Sequence, residues 1–344
     1  MLNIHPNFKL NNFNFSFSDD LLKYLEFQFP VDFRFLSELF NDENFITVQT
    51  SGSTGSPKSI QISKLALLKS AENTSRFFDI KSKSKVLHCL SSNFIAGKMM
   101  WVRALHLGWH ITLVKPDSFP LLQTEIFFDF AAMVPLQAIN SQNDLFRIKK
   151  LIIGGGQLSK KWQDSFALIP SEIFLTYGMT ETITHIAAKK IGAPGGFRLL
   201  PQVKISTDQR NCLEVTLTYL GNNKIITNDL VKIINETEFE WLGRFDNIIN
   251  SGGIKLIPET IEQKLQPFIP CEFFVAGIDD EKLGTKLILL VESNHQVFDL
   301  ATKFQSACLE KYEIPKEIIH LSHFQRTENG KIDRFNTLKG INQL

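Results

Sequence analysis

The sequence predicts an α/β fold, with a large layered N-terminal domain followed by a small α+β C-terminal domain. Three observations point to it. Short apolar runs alternate with helix-like stretches up to about Val203. After that residue the texture turns to paired, antiparallel-looking strands. The chain has 344 residues, 43% of them hydrophobic, enough for about two cores at roughly 150 residues per domain.

The elements follow in order. Phe45–Thr50, Val86–Leu90, Ile111–Val114, Leu151–Ile153 and Ile173–Leu175 are short, apolar and bounded by turn residues, as buried strands are. Ser63 is placed to cap a helix whose Leu67, Leu68, Ala71, Ser75 and Phe78 share one face. Strand–helix alternation of this kind gives layered α/β domains. Ile205–Tyr219 and Lys224–Ile234 read as antiparallel strands joined at Gly221-Asn222-Asn223. A polar loop spans Gly243 to Gly253. Beyond it come helix Pro258–Leu265, strands Phe273–Gly277 and Lys286–Glu292, helix Phe298–Tyr312 and strand Glu317–Leu321. The boundary falls in that loop, giving domains 1–245 and 246–344.

Composition narrows the function. Thirty Phe against four Tyr and four Trp favour burial, because Phe needs no hydrogen-bond partner. Balanced charges, 37 basic and 36 acidic, provide no global field for nucleic acid or an anionic membrane. Cys89, Cys212, Cys271 and Cys308 are widely spaced and form no C-x-x-C. With no export pattern at the N-terminus and no apolar run near the ~18 residues of a membrane span, they fit reduced thiols in a cytoplasmic protein.

Four segments carry chemistry. Thr50-Ser51-Gly52-Ser53-Thr54-Gly55-Ser56-Pro57-Lys58 lies between a strand and a helix. Its glycines let backbone N–H groups approach an anion, its hydroxyls donate, and its lysine adds charge, as polyphosphate binding requires. A Walker A loop would need glycine at Pro57. Ser/Gly-rich composition also suits a plain surface linker. Tyr177-Gly178-Met179-Thr180-Glu181 follows a strand, where an aromatic, a hydroxyl and a carboxylate suit a nucleotide and Mg²⁺; taken alone, an ordinary strand-to-helix turn fits it better. The others are Gly243-Arg244-Phe245-Asp246, continuing through Ser251-Gly252-Gly253-Ile254-Lys255, and Asn329-Gly330-Lys331-Ile332-Asp333-Arg334.

In this order and spacing the four resemble the signature of the adenylate-forming superfamily: acyl- and aryl-CoA ligases, luciferases and peptide-synthetase adenylation domains. The resemblance runs from Thr47 almost to the end of the chain. It implies a two-step reaction in which a carboxylate joins the α-phosphate of ATP and a thiol then attacks the acyl-adenylate, with ATP, Mg²⁺ and coenzyme A required. By the family pattern, Thr50, Ser51, Gly52, Ser53, Thr54, Gly55 and Lys58 hold the outer phosphates. Thr180 contacts the α-phosphate, Glu181 ligates the metal, and Lys331 reaches the reacting oxygens. Tyr177 packs on adenine, and Asp229 and Arg244 bind the ribose. Asp246 is the hinge about which the C-terminal domain swings, bringing Ser251, Gly252 and Gly253 to the coenzyme A tunnel.

Ile95 through Leu105, with Lys98, Trp101 and Arg103, resembles the acyl-pocket stretch of o-succinylbenzoate–CoA ligases of menaquinone biosynthesis. Their acid has two carboxylates, and the resemblance makes Arg103 the ligand of the one not activated, with Lys98 as the other candidate. Both also fit solvated cations on an amphipathic helix. Gly154-Gly155-Gly156 resembles the glycine wall for the aromatic ring, with Gly155 and Gly156 against it. Other aryl- or acyl-CoA ligases and a nucleotide-binding pseudoenzyme are the alternatives. The sequence also departs from the pattern. Its phosphate loop begins near residue 50, so the N-terminal domain is shortened, and Asn228 stands where glycine is usual. The absence of a carrier domain after residue 344 favours free coenzyme A as acceptor. The expected partners are small molecules, not nucleic acid, and a homodimer is left open.

Overall fold

The computed structural model describes residues 3–49, 59–222, 224–293, 304–326 and 332–341. Two short strands, β1 (Lys9–Leu10) and β2 (Phe13–Asn14), lead into helices α1 (Ser18–Leu25) and α2 (Pro30–Phe40). An antiparallel pair, β3 (Phe45–Gln49) and β4 (Ser59–Ser63), comes next, with Gln49 opposite Ser59. The expected phosphate loop, residues 50–58, joins these two strands and lies outside the described residues. Ser63 caps α3 (Lys64–Phe78) as expected, its hydroxyl accepting from the Ala66 N–H at 3.1 Å.

The middle of the chain alternates as predicted: β5 (Lys85–His88), α4 (Ile95–Leu107), β6 (His110–Leu113), β7 (Phe128–Met133), α5 (Pro135–Asn140), β8 (Ile148–Ile153), α6 (Lys160–Phe166) and β9 (Glu172–Gly178). β6, β5, β7, β8 and β9 form a parallel core in that order, with β1 beside β6. Parallel strands covered on both faces read as continuous apolar runs, and their side chains divide two ways. Val86, Phe130 and Ile152 join the core under α3 and α4, with Met100 and Trp101. Leu87, Ala131, Leu151 and Ile153 join the opposite core, with Ala138 of α5 and Phe166 of α6.

From β9 the sheet turns antiparallel through β10 (His185–Lys190), β11 (Phe197–Leu199), β12 (Val203–Thr207), β13 (Cys212–Leu217), β14 (Lys224–Asn235) and β15 (Glu238–Arg244). The single strand expected over Ile205–Tyr219 is therefore two. They turn at Asp208, whose carboxylate accepts from the Arg210 and Cys212 N–H groups. After Arg244 the chain leaves the large sheet through a 3₁₀ turn (Phe245–Asn247) and a small hairpin, β16 (Ile249–Ser251) and β17 (Ile254–Leu256).

Helix α7 (Pro258–Leu265) then packs on a sheet of β18 (Phe273–Asp280), β19 (Gly284–Glu292) and β20 (Glu317–Leu321). Ile261 and Leu265 meet Val275 and Leu289 on one face. Leu338 and Ile341 of α8 (Arg334–Ile341) meet Phe274 and Leu290 on the other. The helix expected over Phe298–Tyr312 begins outside the described residues. Where described, it ends by Ser306, because Cys308 takes a left-handed φ of +51° that continues no helix. No helix among the described residues is long and apolar enough to cross a membrane.

Candidate functional site

β9, β14 and β15 bring three of the expected nucleotide residues together: Tyr177, Asp229 and Arg244. Asp229 on β14 stands opposite Arg244 on β15. The Asp229 carboxylate accepts from the Tyr177 hydroxyl at 2.6 Å and from the Trp241 indole N–H at 3.2 Å, one donor on each oxygen. Its backbone N–H donates to the Thr227 hydroxyl. Each oxygen keeps a free lone pair, so a carboxylate anchored in this way can still accept from two sugar hydroxyls. Burial, and next the charge of Asp229, push the Tyr177 phenol far above its ordinary range, so it remains a donor. The Tyr177 ring meets Phe197 and Phe239 edge-on, with centroids 6.0 and 5.2 Å away.

Arg244 turns its guanidinium toward Asp246, donating at 3.0 Å, and Asn228 donates to both oxygens of the same carboxylate. Burial pulls the Arg244 pKa down, but the bond to Asp246 and the charges of Asp229 and Asp246 outweigh it, leaving the group above its ordinary value. The expected hinge residue is thus tied to two strands of the large sheet. Asn228, which departs from the family's glycine, makes one of those ties.

The turn after β9 is tightly wound. Thr180–Thr182 forms a 3₁₀ turn, and Ile183 follows at φ +69° and ψ −57°. The Thr184 N–H bonds the Thr182 carbonyl at 2.8 Å across it, making a γ-turn of the rare, strained hand about a β-branched residue. The Thr182 hydroxyl holds the turn, accepting from the Met179 N–H and contacting the Thr184 carbonyl. Glu181 is exposed here and has no ion-pair partner among the described residues. A lone, free carboxylate at the end of a strand fits Mg²⁺, which takes one or two carboxylates and completes its shell with phosphates and water.

The same turn delivers Thr184 to Arg103 of α4. Arg103 is 1% exposed, donates to the Thr184 hydroxyl at 3.2 Å, and lies 3.8 Å from the Met100 sulfur. Its Nε has no partner, and no carboxylate among the described residues pairs with it. Burial lowers the guanidinium to about 9, which still leaves it cationic at neutral pH. Lys98 lies on another side of α4, its ammonium 4.4 Å from the Phe35 ring centroid, and burial lowers its pKa. The structure therefore places the two candidate cations in different surroundings. Gly154 follows β8, and a Cβ there would stand 2.6 Å from the Thr176 hydroxyl. Gly155 takes φ +79°, which glycine alone adopts freely.

Ser251-Gly252-Gly253 forms the tip of the β16–β17 hairpin, with Gly252 and Gly253 both at positive φ. Thr50, Ser51, Gly52, Ser53, Thr54, Gly55, Lys58 and Lys331 lie outside the described residues. Sequence reasoning missed several side chains that complete the site. Trp241 and Thr184 belong to no motif. Glu259, buried at the start of α7, accepts from Asn247 of the 3₁₀ turn at 2.5 Å, linking the turn to the small lobe. An acid in the first turn of a helix, just after Pro258, was the available signal.

Residues 38–212 match the family of AMP-binding enzymes. An acyl-CoA synthetase (AMP-forming)/AMP-acid ligase II-like protein of Dyadobacter fermentans is 31% identical over 91% of this chain and 95% of its own, with a TM-score of 0.60. The o-succinylbenzoate CoA synthetase of Bacillus subtilis, solved with its acyl-adenylate, is 21% identical and shares the fold at a TM-score of 0.75, over 85% of this chain and 68% of that one. A 2-succinylbenzoate–CoA ligase of Bacillus cereus is 24% identical over 89% of this chain and 72% of its own length. A linear gramicidin synthase of Brevibacillus parabrevis is 23% identical over 83% of this chain, and the match spans 4% of that much longer protein.

Proposed function

This chain belongs to the AMP-binding enzyme family, and from that premise we propose that it is an AMP-forming acid–CoA ligase whose acid is a dicarboxylate of the 2-succinylbenzoate kind. One carboxylate oxygen attacks the α-phosphorus of ATP and pyrophosphate leaves. The thiol of coenzyme A then attacks the acyl carbon, AMP leaves, and the thiol proton passes to solvent. In this reading Asp229, held by Tyr177 and Trp241, binds the ribose. Thr180 contacts the α-phosphate, and residues 50–58 and Lys331 supply the phosphate and transition-state contacts expected from the sequence. A bound Mg²⁺ at Glu181 would offset the phosphate charge. Asp246 is the hinge between domains 1–245 and 246–344, and the Ser251–Gly253 tip lines the thiol's path.

One observation carries the choice of acid: Arg103 is a buried cation with no anion paired to it among the described residues. Burying a guanidinium unpaired costs several kcal/mol, and a ligand carboxylate accepting from its fork removes most of that cost. The 2-succinylbenzoate–CoA ligase and the o-succinylbenzoate CoA synthetase named above are similar to this chain, and the acid in their names has such a second carboxylate.

The test is acid-dependent exchange of pyrophosphate into ATP across a panel containing 2-succinylbenzoate and benzoate. Exchange is expected with the diacid. Arg103→Ala should raise the KM for the diacid about 10²-fold, as loss of a charge-assisted pair does, with the KM for ATP unchanged. Exchange with no acid in the panel would point to a nucleotide-binding protein without ligase activity. Exchange with benzoate alone would remove the dicarboxylate assignment.

A further inference from the structure

We infer that His185 is a second specificity-determining residue of the acid site, its Nε2–H donating to an oxygen of the substrate beside Arg103. The inference rests on the reading of Arg103 just given and adds a group that no motif contains. His185 opens β10, is 8% exposed, and sits at the bulge where β10 pairs with the end of β9. Its ring meets Phe78 edge-on at 5.8 Å, and Phe78 in turn meets Phe130 and Phe174, so one side of the imidazole faces an aromatic wall.

The hydrogen-bond chain fixes its tautomer. Arg103 can only donate, so the Thr184 hydroxyl accepts from it at 3.2 Å. That hydroxyl then has its own proton to give, and His185 Nδ1 lies 3.3 Å away to receive it. Burial, and next the charge of Arg103, hold the imidazole well below its ordinary pKa, so the ring is neutral. A neutral ring that accepts at Nδ1 carries its proton on Nε2. Among the described residues that Nε2, like Nε of Arg103, is buried with no partner. The chain Arg103–Thr184–His185 therefore leaves two buried donors unspent at its two ends. Buried donors are normally bonded. Unspent donors flanking an aromatic wall fit an aromatic acid that brings acceptor oxygens in addition to the carboxylate being activated.

The experiment joins imidazole ¹⁵N NMR of the intact protein with steady-state kinetics. The free protein is expected to show the Nε2–H tautomer, and the Nε2 signal should move on addition of 2-succinylbenzoate with AMP but not of benzoate with AMP. His185→Phe should raise the KM for the diacid about tenfold, the loss of one hydrogen bond to a polar ligand, while the KM for ATP stays unchanged; His185→Gln, which keeps an N–H donor, should recover most of it. A protonated Nδ1 in the free protein, or an Nε2 signal unmoved at saturating diacid, overturns the inference. If Arg103→Ala weakens diacid binding and His185→Phe does not, His185 is excluded and the proposed function stands. If neither substitution affects the diacid, the dicarboxylate reading fails as well.

Discussion

At Arg103 stability and function pull in opposite directions. A buried ion without a counter-ion is a folding cost, whereas an apolar side chain of similar length would fill the same space favourably. Arg103→Met is therefore expected to stabilise the ligand-free protein by about 1–4 kcal/mol, read from urea unfolding, and to abolish the rise in Tm that the diacid gives the wild type. Unfolding at lower urea than wild type would mean that Thr184 and Met100 already satisfy the guanidinium, leaving no need for a ligand anion. The legibility of single residues varied for a physical reason. Tyr177 and Arg244 sit in motifs, and Asp229 follows from the same family pattern, because the nucleotide role proposed for them would fix both type and spacing. Thr184, His185 and Trp241 act through contacts 81 residues apart for Thr184 with Arg103, and 12 residues apart across a strand pair for Trp241 with Asp229. Such partners become neighbours only after folding, and no local pattern announces them.

Helix α2 shows the same at the scale of elements. Its Asp32, 6% exposed, accepts from the Ser92 hydroxyl at 2.5 Å and the Trp101 indole at 2.7 Å, with His88 Nε2 3.7 Å away. One carboxylate thus ties α2 to the end of β5 and to α4. Burial pushes this carboxyl up, but His88, Ser92 and Trp101 outweigh it and hold it below its ordinary value of 3.8. A depressed folded-state value contributes stability above the unfolded pKa, and that stability is lost as pH falls from about 3.8 through the lower folded value. Asp32→Asn should accordingly be less stable at neutral pH, by roughly 1–3 kcal/mol for a buried hydrogen-bonded group, and should narrow its gap from wild type below pH 4. A gap that stays constant down to pH 2 would show that Asp32 is not the titrating tie. Neither α1 nor α2 stood out in the sequence: α1 is only eight residues long, and in α2 the apolar residues Val31, Phe33, Phe35, Leu36, Leu39 and Phe40 recur too densely to mark one helical face. β7 escaped notice for the converse reason: Phe-Asp-Phe-Ala-Ala-Met has no β-branched residue, and its strand character comes from β5 and β8 on either side.

For the molecule as a whole, the arrangement that was legible is the alternation of a parallel α/β layer, an antiparallel extension and a small α+β unit, because each has its own hydrophobic period. Less legible was how the large sheet hands over to the small unit. There the Asp246 carboxylate is held by Asn228 and Arg244, and Glu259 is held by Asn247, across a 3₁₀ turn. The Asp246 bonds are exposed, and exposed ion pairs of this kind contribute only about 0–1 kcal/mol each. They can position the turn in one arrangement without preventing another, which is what a hinge between two half-reactions requires. If the small lobe carries Lys331 to the reacting oxygens for adenylation only, the two half-reactions must respond differently to its loss. Lys331→Ala is expected to slow acid-dependent pyrophosphate exchange by about 10²–10³-fold, the scale for removing one preorganised charge from a transition state. Thioester formation from supplied acyl-adenylate and coenzyme A should stay within about a factor of three of wild type. Equal losses in both half-reactions would mean that Lys331 serves one fixed site, and the swing about Asp246 would have no chemical purpose.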